Sequence, residues 1–320
     1  MSRHKHAPRI YPDLSAAQDF RLPLPRPVVD SHTHVPTPHD PNRDDYADDD
    51  RLMPIQEIAD RMDTAGVGHA VISGCEYPVL NDYLDVAHAD PGHFSVALAI
   101  HPNEAPLHER VVEPSPDGMT HGLDPWHEQV SLSDALSTVA DLARDPAVVA
   151  IGETGLDFFR VGDRGRDIQK KAFAWHIALA KELDLPVQIH DRNAHRECVE
   201  VLDALGAPDR VIFHAFSGDA ELAEILASRG WYASFGGTLS FKSNSRGREA
   251  FRAMPSDLIL VETDAPYLTP EPFRGRPNMP YLAAVNVRHQ AAVRGVGVAE
   301  WCDQLVVNTE EAFGTNLAGA

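Results

Sequence analysis

The chain has 320 residues, 43% hydrophobic and 24% charged, enough apolar material for a core and too much for a mostly disordered polymer. Lysine and arginine number 28 against 48 aspartate and glutamate, a formal charge of −20. Such a surface repels polyanions at long range, which excludes a broad nucleic-acid-coating face but leaves open a nucleic-acid end or short fragment engaged locally.

Three widely spaced cysteines, Cys75, Cys198 and Cys302, form no Cys-x-x-Cys pair. The chain shows neither an apolar signal core near its start nor a stretch long enough to span a bilayer. The expectation is a cytoplasmic protein with reduced thiols, no membrane association and no obligate protein partner.

Residues 1–26 are rich in proline and polar groups, with Arg3, His4, Lys5, His6 and Arg9 grouped early, and they carry no sustained period. They read as a flexible N-terminal arm, the folded domain occupying 27–320. From Val28 onward, β-branched apolar runs at 28–34, 69–74, 94–100, 148–153, 186–190, 210–214, 231–235 and 258–264 alternate with segments of helical character. These predict eight strands.

A helix is expected from Pro54 to Ala65, with Ile55, Ile58, Ala59, Met62 and Ala65 on one stripe and Gly66 as its stop. Another is expected from about Gln169 to Leu183, and a third after Asp219 as N-cap, carrying Leu222, Ile225 and Leu226 inward. Strand and helix in alternation, eight times over, give the α/β class and a closed (β/α)8 TIM barrel.

Two connections are longer than a barrel needs. One, about 35–53, holds Asp40, Asp44, Asp45, Asp48, Asp49 and Asp50 but lacks the glycine and terminal glutamate of a calcium loop. The other, about 103–130, holds His108, His121 and His127 among prolines and glycines. Both leave the carboxyl ends of strands, so both are expected to overhang the barrel mouth.

Six potential metal ligands close these runs. Asp30-Ser-His32-Thr-His34 sets two imidazoles on one face of a strand; Glu153 follows Val148-Val-Ala-Ile-Gly152; His190, His214 and Asp264 end three others. In a barrel all strand ends meet on one face, so residues spread from 32 to 264 can converge. A carboxylate with two oxygens can bridge two cations. Glu153 then divides the set into one site with His32, His34 and Asp264 and another with His190 and His214. Two divalent cations (Mg, Mn or Zn) roughly 3.5–4 Å apart suit in-line displacement at phosphorus.

With these residues in place the chain resembles the TatD family of metal-dependent hydrolases, members of the amidohydrolase superfamily usually described as deoxyribonucleases. The matching segments are Asp30-Ser-His-Thr-His34, Ile100-His-Pro102, Gly152-Glu-Thr-Gly-Leu-Asp157, Pro186-Val-Gln-Ile-His190, Phe213-His-Ala-Phe-Ser-Gly218, Glu262-Thr-Asp-Ala-Pro-Tyr-Leu-Thr-Pro270 and Arg274-Gly-Arg-Pro-Asn278, covering about 28 to 313. The resemblance implies a (β/α)8 barrel, a two-metal centre partitioned as above, commonly with magnesium or manganese, and hydrolysis of phosphodiesters in DNA. The arm, the acidic loop and the 103–130 insertion depart from the family pattern and bear on substrate range.

Around the ligands, Asp264 is the expected proton acceptor for the attacking water, with Glu153 as the other catalytic residue. His101 is assigned to substrate phosphate or leaving group, and Asp157 and Arg192 to substrate or to support of the ligands. Arg274, Arg276 and Asn278 stand beyond the last strand, where barrels often hold phosphate, and Ser217 with Gly218 could offer a hydroxyl and an N–H. The reading is a deoxyribonuclease acting on DNA ends or short fragments. Ester or amide hydrolysis on the same centre, such as deacylation of an RNA end, is the alternative, and a non-catalytic metal-binding protein a further one.

Overall fold

In the computed structural model the described residues are 10–41 and 52–317. Along the chain run β1 (Val28–Thr33), α1 (Ile55–Ala65), β2 (Val67–Gly74), α2 (Leu80–Ala89), β3 (Phe94–Leu98), α3 (Glu104–His108), α4 (Pro125–Gln129), α5 (Leu132–Leu142) and β4 (Val148–Asp157). There follow α6 (Asp163–Leu183), β5 (Val187–Arg192), α7 (His195–Leu205), β6 (Val211–Phe213), α8 (Ala220–Ala227), β7 (Tyr232–Phe235), α9 (Ser245–Ala253), β8 (Ile259–Val261), α10 (Ala283–Arg294) and α11 (Val298–Phe313).

All eight strands lie in one sheet in chain order, each parallel to the next. Beyond β8 the chain returns to β1. The N–H of Asp264 donates to His32 O at 2.9 Å, and that of His34 to Ala265 O at 2.9 Å. These bonds draw the barrel nearly closed and set the end of β8 beside the two histidines of β1.

Alternation along the strands divides the core. Val28, Ala70, Val96, Ile151 and Val187 join the large cluster under the helices. Val29, Val71, Ala97, Val149, Ile212, Tyr232 and Leu260 form a second cluster with Phe313 and Leu317, as inward-pointing side chains of a barrel do. The helix stripe on α1 buries Ile58 and Met62 completely, about 1.5–3 kcal/mol each. Gly66 ends that helix at φ 79°, and a Cβ there would stand 2.7 Å from the Leu24 N, so alanine would be both strained and crowded. Asp219 caps α8 by accepting from the Leu222 N–H at 3.0 Å.

The N-terminal segment lies against the outside of the barrel over its described residues. Over residues 10–26 it is laid on the barrel: Leu24 is buried and its N–H donates to Ala65 O, Tyr281 Oη donates to Pro12 O at 2.8 Å, and Arg288 donates to Leu22 O at 2.7 Å. Carbonyls with no strand or helix partner find donors on α1 and α10 or near them, which ties the segment down. The basic group Arg3, His4, Lys5, His6 and Arg9 lies outside the described residues, as do Asp44, Asp45, Asp48, Asp49 and Asp50.

The 103–130 insertion contains α3 and α4 and is stitched to the barrel. Glu113 Oε1 accepts from the Gly165 N–H at 2.8 Å, and the Asp117 N–H donates to Phe159 O at 3.2 Å. Within it Glu104, His108 and His127 come together. His127 Nδ1 accepts the Asp124 N–H at 2.9 Å, which leaves its proton on Nε2, facing Glu104 Oε2 at 2.8 Å. That cluster is a hydrogen-bonded clip fastening α4 to α3.

Candidate metal centre

The carboxyl ends of the strands enclose a cavity of about 680 Å³ whose floor is formed by His34, His101, Glu153, His190, His214 and Asp264. His32 lies just beneath, fully buried. The sheet brings β4 and β5 close enough for this because Gly152 has no side chain: a Cβ there would sit 2.5 Å from Gln188 Cβ. At the end of β8, Asp264 adopts φ 54°, a left-handed turn that an aspartate tolerates better than most residues.

Hydrogen bonds from behind fix which nitrogen of each histidine faces the cavity. Gln188 Nε2 donates to Ser31 O at 2.7 Å, so its Oε1 is the acceptor for His32 Nδ1–H at 3.1 Å. His34 Nδ1–H donates to Ser73 O at 2.8 Å. Both rings therefore present a bare Nε2 inward, as metal-binding histidines do. His190 Nε2–H donates to Asp157 Oδ2 at 3.2 Å and turns Nδ1 toward Glu153 Oε2 at 3.0 Å. His101 is the opposite case. Its Nδ1 accepts the Asn103 N–H at 3.0 Å, so Nε2 carries a proton and points into the centre.

Glu153 stands between two groups of nitrogens. Its Oε1 is 3.7 Å from His32 Nε2 and 3.6 Å from His34 Nε2, while Oε2 is 2.5 Å from His214 Nε2 and 3.0 Å from His190 Nδ1. Asp264 Oδ1 completes the first group, 3.9 Å from His32 Nε2 and 3.8 Å from His34 Nε2. The separations in this first group are too long for hydrogen bonds and near the edge of about 3.4 Å expected of a tetrahedron with ligand bonds near 2.1 Å, whereas Oε2 lies within hydrogen-bond distance of His214 and His190. His32 Nε2 is buried with no hydrogen-bond partner among the described residues. An orphaned imidazole nitrogen aimed at two carboxylates fits a cation.

Burial opposes a charged His32, yet Glu153, Glu262 and Asp264 prevail and raise it to about 9. Burial favours a neutral Glu153, but His214, His101 and His190 outweigh it and hold the carboxylate well below its usual range. Burial pushes Asp264 up to about 7, against His32 and with help from Glu153. Burial opposes a charged His190, yet Asp157 and Glu153 prevail and raise it to about 10. Burial and neighbouring His32 hold His34 down at about 4 and His214 at about 3. Opposed shifts of this size within one cavity mark a functional site.

Three clusters of ligand atoms, each within 4.8 Å, occur here: His32 with His34 and Glu153; His32 with His214 and Asp264; His101 with Glu153 and His190. The six residues expected from the sequence are thus brought together, with Glu153 shared. A family model described as TatD related DNase matches residues 29–314. The chain belongs to that family.

Relatives within the TatD family place the protein among metal-dependent hydrolases. It is 30% identical over 292 residues to the uncharacterized metal-dependent hydrolase YabD of Bacillus subtilis, covering 90% of this chain and 100% of the relative. The uncharacterized metal-dependent hydrolase TatD of Mycobacterium tuberculosis is 45% identical over 170 residues, 52% of this chain and 64% of that protein; that match therefore spans under two thirds of the relative. A protein named 3′-5′ ssDNA/RNA exonuclease TatD from Erwinia amylovora is 36% identical over 201 residues, 61% of this chain and 77% of that one. Among solved structures, the TatD homologue YJJV of Escherichia coli superposes with a TM-score of 0.72 at 27% identity, covering 90% of this chain and 98% of that one.

Of the residues expected to contact substrate in this TatD-family chain, His101, Arg192 and Ser217 line the cavity. Arg274, Arg276 and Asn278 do not. The loop folds back on itself. Asn278 is fully buried, and its amide donates to Thr263 O and Tyr267 O at 2.7 Å each. Thr269 Oγ1 donates to Arg276 O, and the Arg274 guanidinium stacks on Phe241 at 3.8 Å. Asn278 staples the loop, and the two arginines are exposed outside the mouth.

Several residues of the centre went unnoticed in the sequence. Cys75 follows β2 and donates its S–H to Glu153 Oε1 at 3.2 Å; β2 had no assigned residue at its end, which was the available signal. Gln188 lies two residues before His190 on the same strand face and was open to the same alternation argument. Asp30 and Glu262 are fully buried carboxylates below the ligands, and burial raises them to about 7 and about 8. Arg160 reaches the cavity from the loop after β4 and Arg246 from the first turn of α9, and nothing in their local sequence distinguishes them.

Proposed function

We propose that the protein hydrolyses phosphodiester bonds at DNA ends, using two divalent cations held by His32, His34, Glu153 and Asp264 on one side and Glu153, His190 and His214 on the other. The observation that supports this reading is the Glu153 carboxylate, whose two oxygens face two separate groups of imidazole nitrogens. Bound there, the cations acidify water and stabilise negative charge on the phosphoryl oxygens.

The chain's own residues do the rest. Asp264 accepts a proton from the water whose oxygen attacks phosphorus. As the phosphorus–oxygen bond opposite breaks, the neutral His101 offers the leaving oxygen a hydrogen bond from Nε2–H, and the proton taken up by Asp264 returns to that oxygen through solvent. Arg192, whose guanidinium lies flat on Phe159 at 4.2 Å, and the Ser217 hydroxyl hold the phosphate. All three cysteines are free and buried, which suits a reducing cytoplasm.

The test is metal-stripped protein reconstituted separately with magnesium, manganese or zinc and offered end-labelled DNA, RNA and a panel of carboxylic esters. Release of mononucleotides from DNA with magnesium or manganese supports the reading. Turnover of esters or of an acylated RNA end, without DNA cleavage, would replace it with the ester-hydrolase alternative.

A further inference from the structure

Most of the charges lining the cavity are sorted by side. The loops after β1 and β2 and the start of α3 contribute carboxylates, Asp40, Glu76 and Glu104; the loop after β4, the end of β5 and the start of α9 contribute arginines, Arg160, Arg192 and Arg246, beside Asp157 and Asp191, which are paired with His190 at 3.2 Å and His195 at 2.6 Å. Each arginine is braced from behind. Arg160 Nε lies 3.4 Å from Asp117 on the insertion, Arg246 is 2.7 Å from Asp219, and Arg192 rests on Phe159. The Arg246–Asp219 pair is largely exposed, so it orients its guanidinium while contributing little that a phosphate could not replace.

We infer that Arg160, Arg192 and Arg246 form the single exit track for a nucleic-acid strand whose terminal phosphodiester is at the metals, and that the acidic rim over β1–β3 blocks passage across the mouth. The inference rests on the phosphodiester reading above and adds a direction to it. A polyanion laid across the whole mouth would meet Glu76 and Glu104 on one side, at a cost in like-charge repulsion. A strand that ends at the metals meets the three arginines, the Asp157 and Asp191 carboxylates on that side being already paired with histidines. The Glu104 side chain is held in place by His127 at 2.8 Å, so the 103–130 insertion sets both halves of this arrangement, through Glu104 on one wall and Asp117 behind Arg160.

The experiment uses manganese-loaded enzyme with three substrates: linear single-stranded DNA, a single-stranded circle of the same sequence, and bis(p-nitrophenyl) phosphate, a diester too small to reach the rim. The wild type is expected to cut the linear strand at least about tenfold faster than the circle. Arg160→Gln and Arg246→Gln are expected to raise KM for the linear strand about tenfold more than for the small diester. Glu76→Gln combined with Glu104→Gln is expected to narrow the preference for linear over circular DNA. Equal cleavage of circle and line by the wild type, or equal KM effects of the arginine variants on both linear DNA and the small diester, would overturn the inference. Failure of the wild type on all three substrates would instead overturn the phosphodiester reading itself.

Discussion

The thiol of Cys75 donates to Oε1 of Glu153 at 3.2 Å, the oxygen that faces His32 and His34. Cys75 thereby restrains the carboxylate between the two ligand groups. Cys75→Ala is expected to lower turnover about tenfold, and Cys75→Ser, which keeps a donor, to recover most of it. Steady-state kinetics with metal content measured for each variant checks this. Equal losses in both variants would assign Cys75 to packing alone.

On the proposed reading, Glu153→Ala would remove the bridge and Asp264→Ala a ligand and proton acceptor. Each is expected to lower turnover at least about a hundredfold in a protein that remains folded. Circular dichroism establishes the fold, and near-wild-type hydrolysis in either variant would refute the assigned roles.

Chelation is expected to abolish activity reversibly while leaving the helical signal intact. The barrel has two hydrophobic clusters that do not depend on the centre, and a chain of this length buries enough surface to be stable without metal. A cooperative loss of ellipticity on adding EDTA would make the cations structural.

His176 on α6 is fully buried, donating from Nδ1 to Thr154 Oγ1 at 2.9 Å and accepting the Ile100 N–H at 3.2 Å on Nε2. Burial holds it down at about 3. Because the folded value lies below the unfolded one, its contribution to stability is complete above roughly pH 6.5 and declines as pH falls toward the folded value. His176→Gln keeps both hydrogen bonds without the titration. Urea unfolding between pH 6.5 and 5 is expected to show a shallower loss of stability in this variant, by about 1 kcal/mol per pH unit. Parallel pH dependences would show that His176 does not contribute.

The eight strands and the convergence of the six candidate ligands were legible in the sequence because both rest on local rules. A β-branched run fixes a strand, and a barrel places whatever ends each run on one face. The full extent of β4, which runs through Glu153 to Asp157, was not legible, since its β-branched apolar run stops before Glu153. Tertiary structure alone decided which nitrogen of each histidine faces the centre. His32 is oriented by Gln188, 156 residues away, and His34 by Ser73, 39 residues away. It also decided that Arg160 and Arg246 reach the cavity while Arg274, Arg276 and Asn278 turn from it. Strand period and residue type are properties of neighbours in the chain, whereas a side chain's direction in a loop is set by hydrogen-bond partners that only the closed barrel brings within reach.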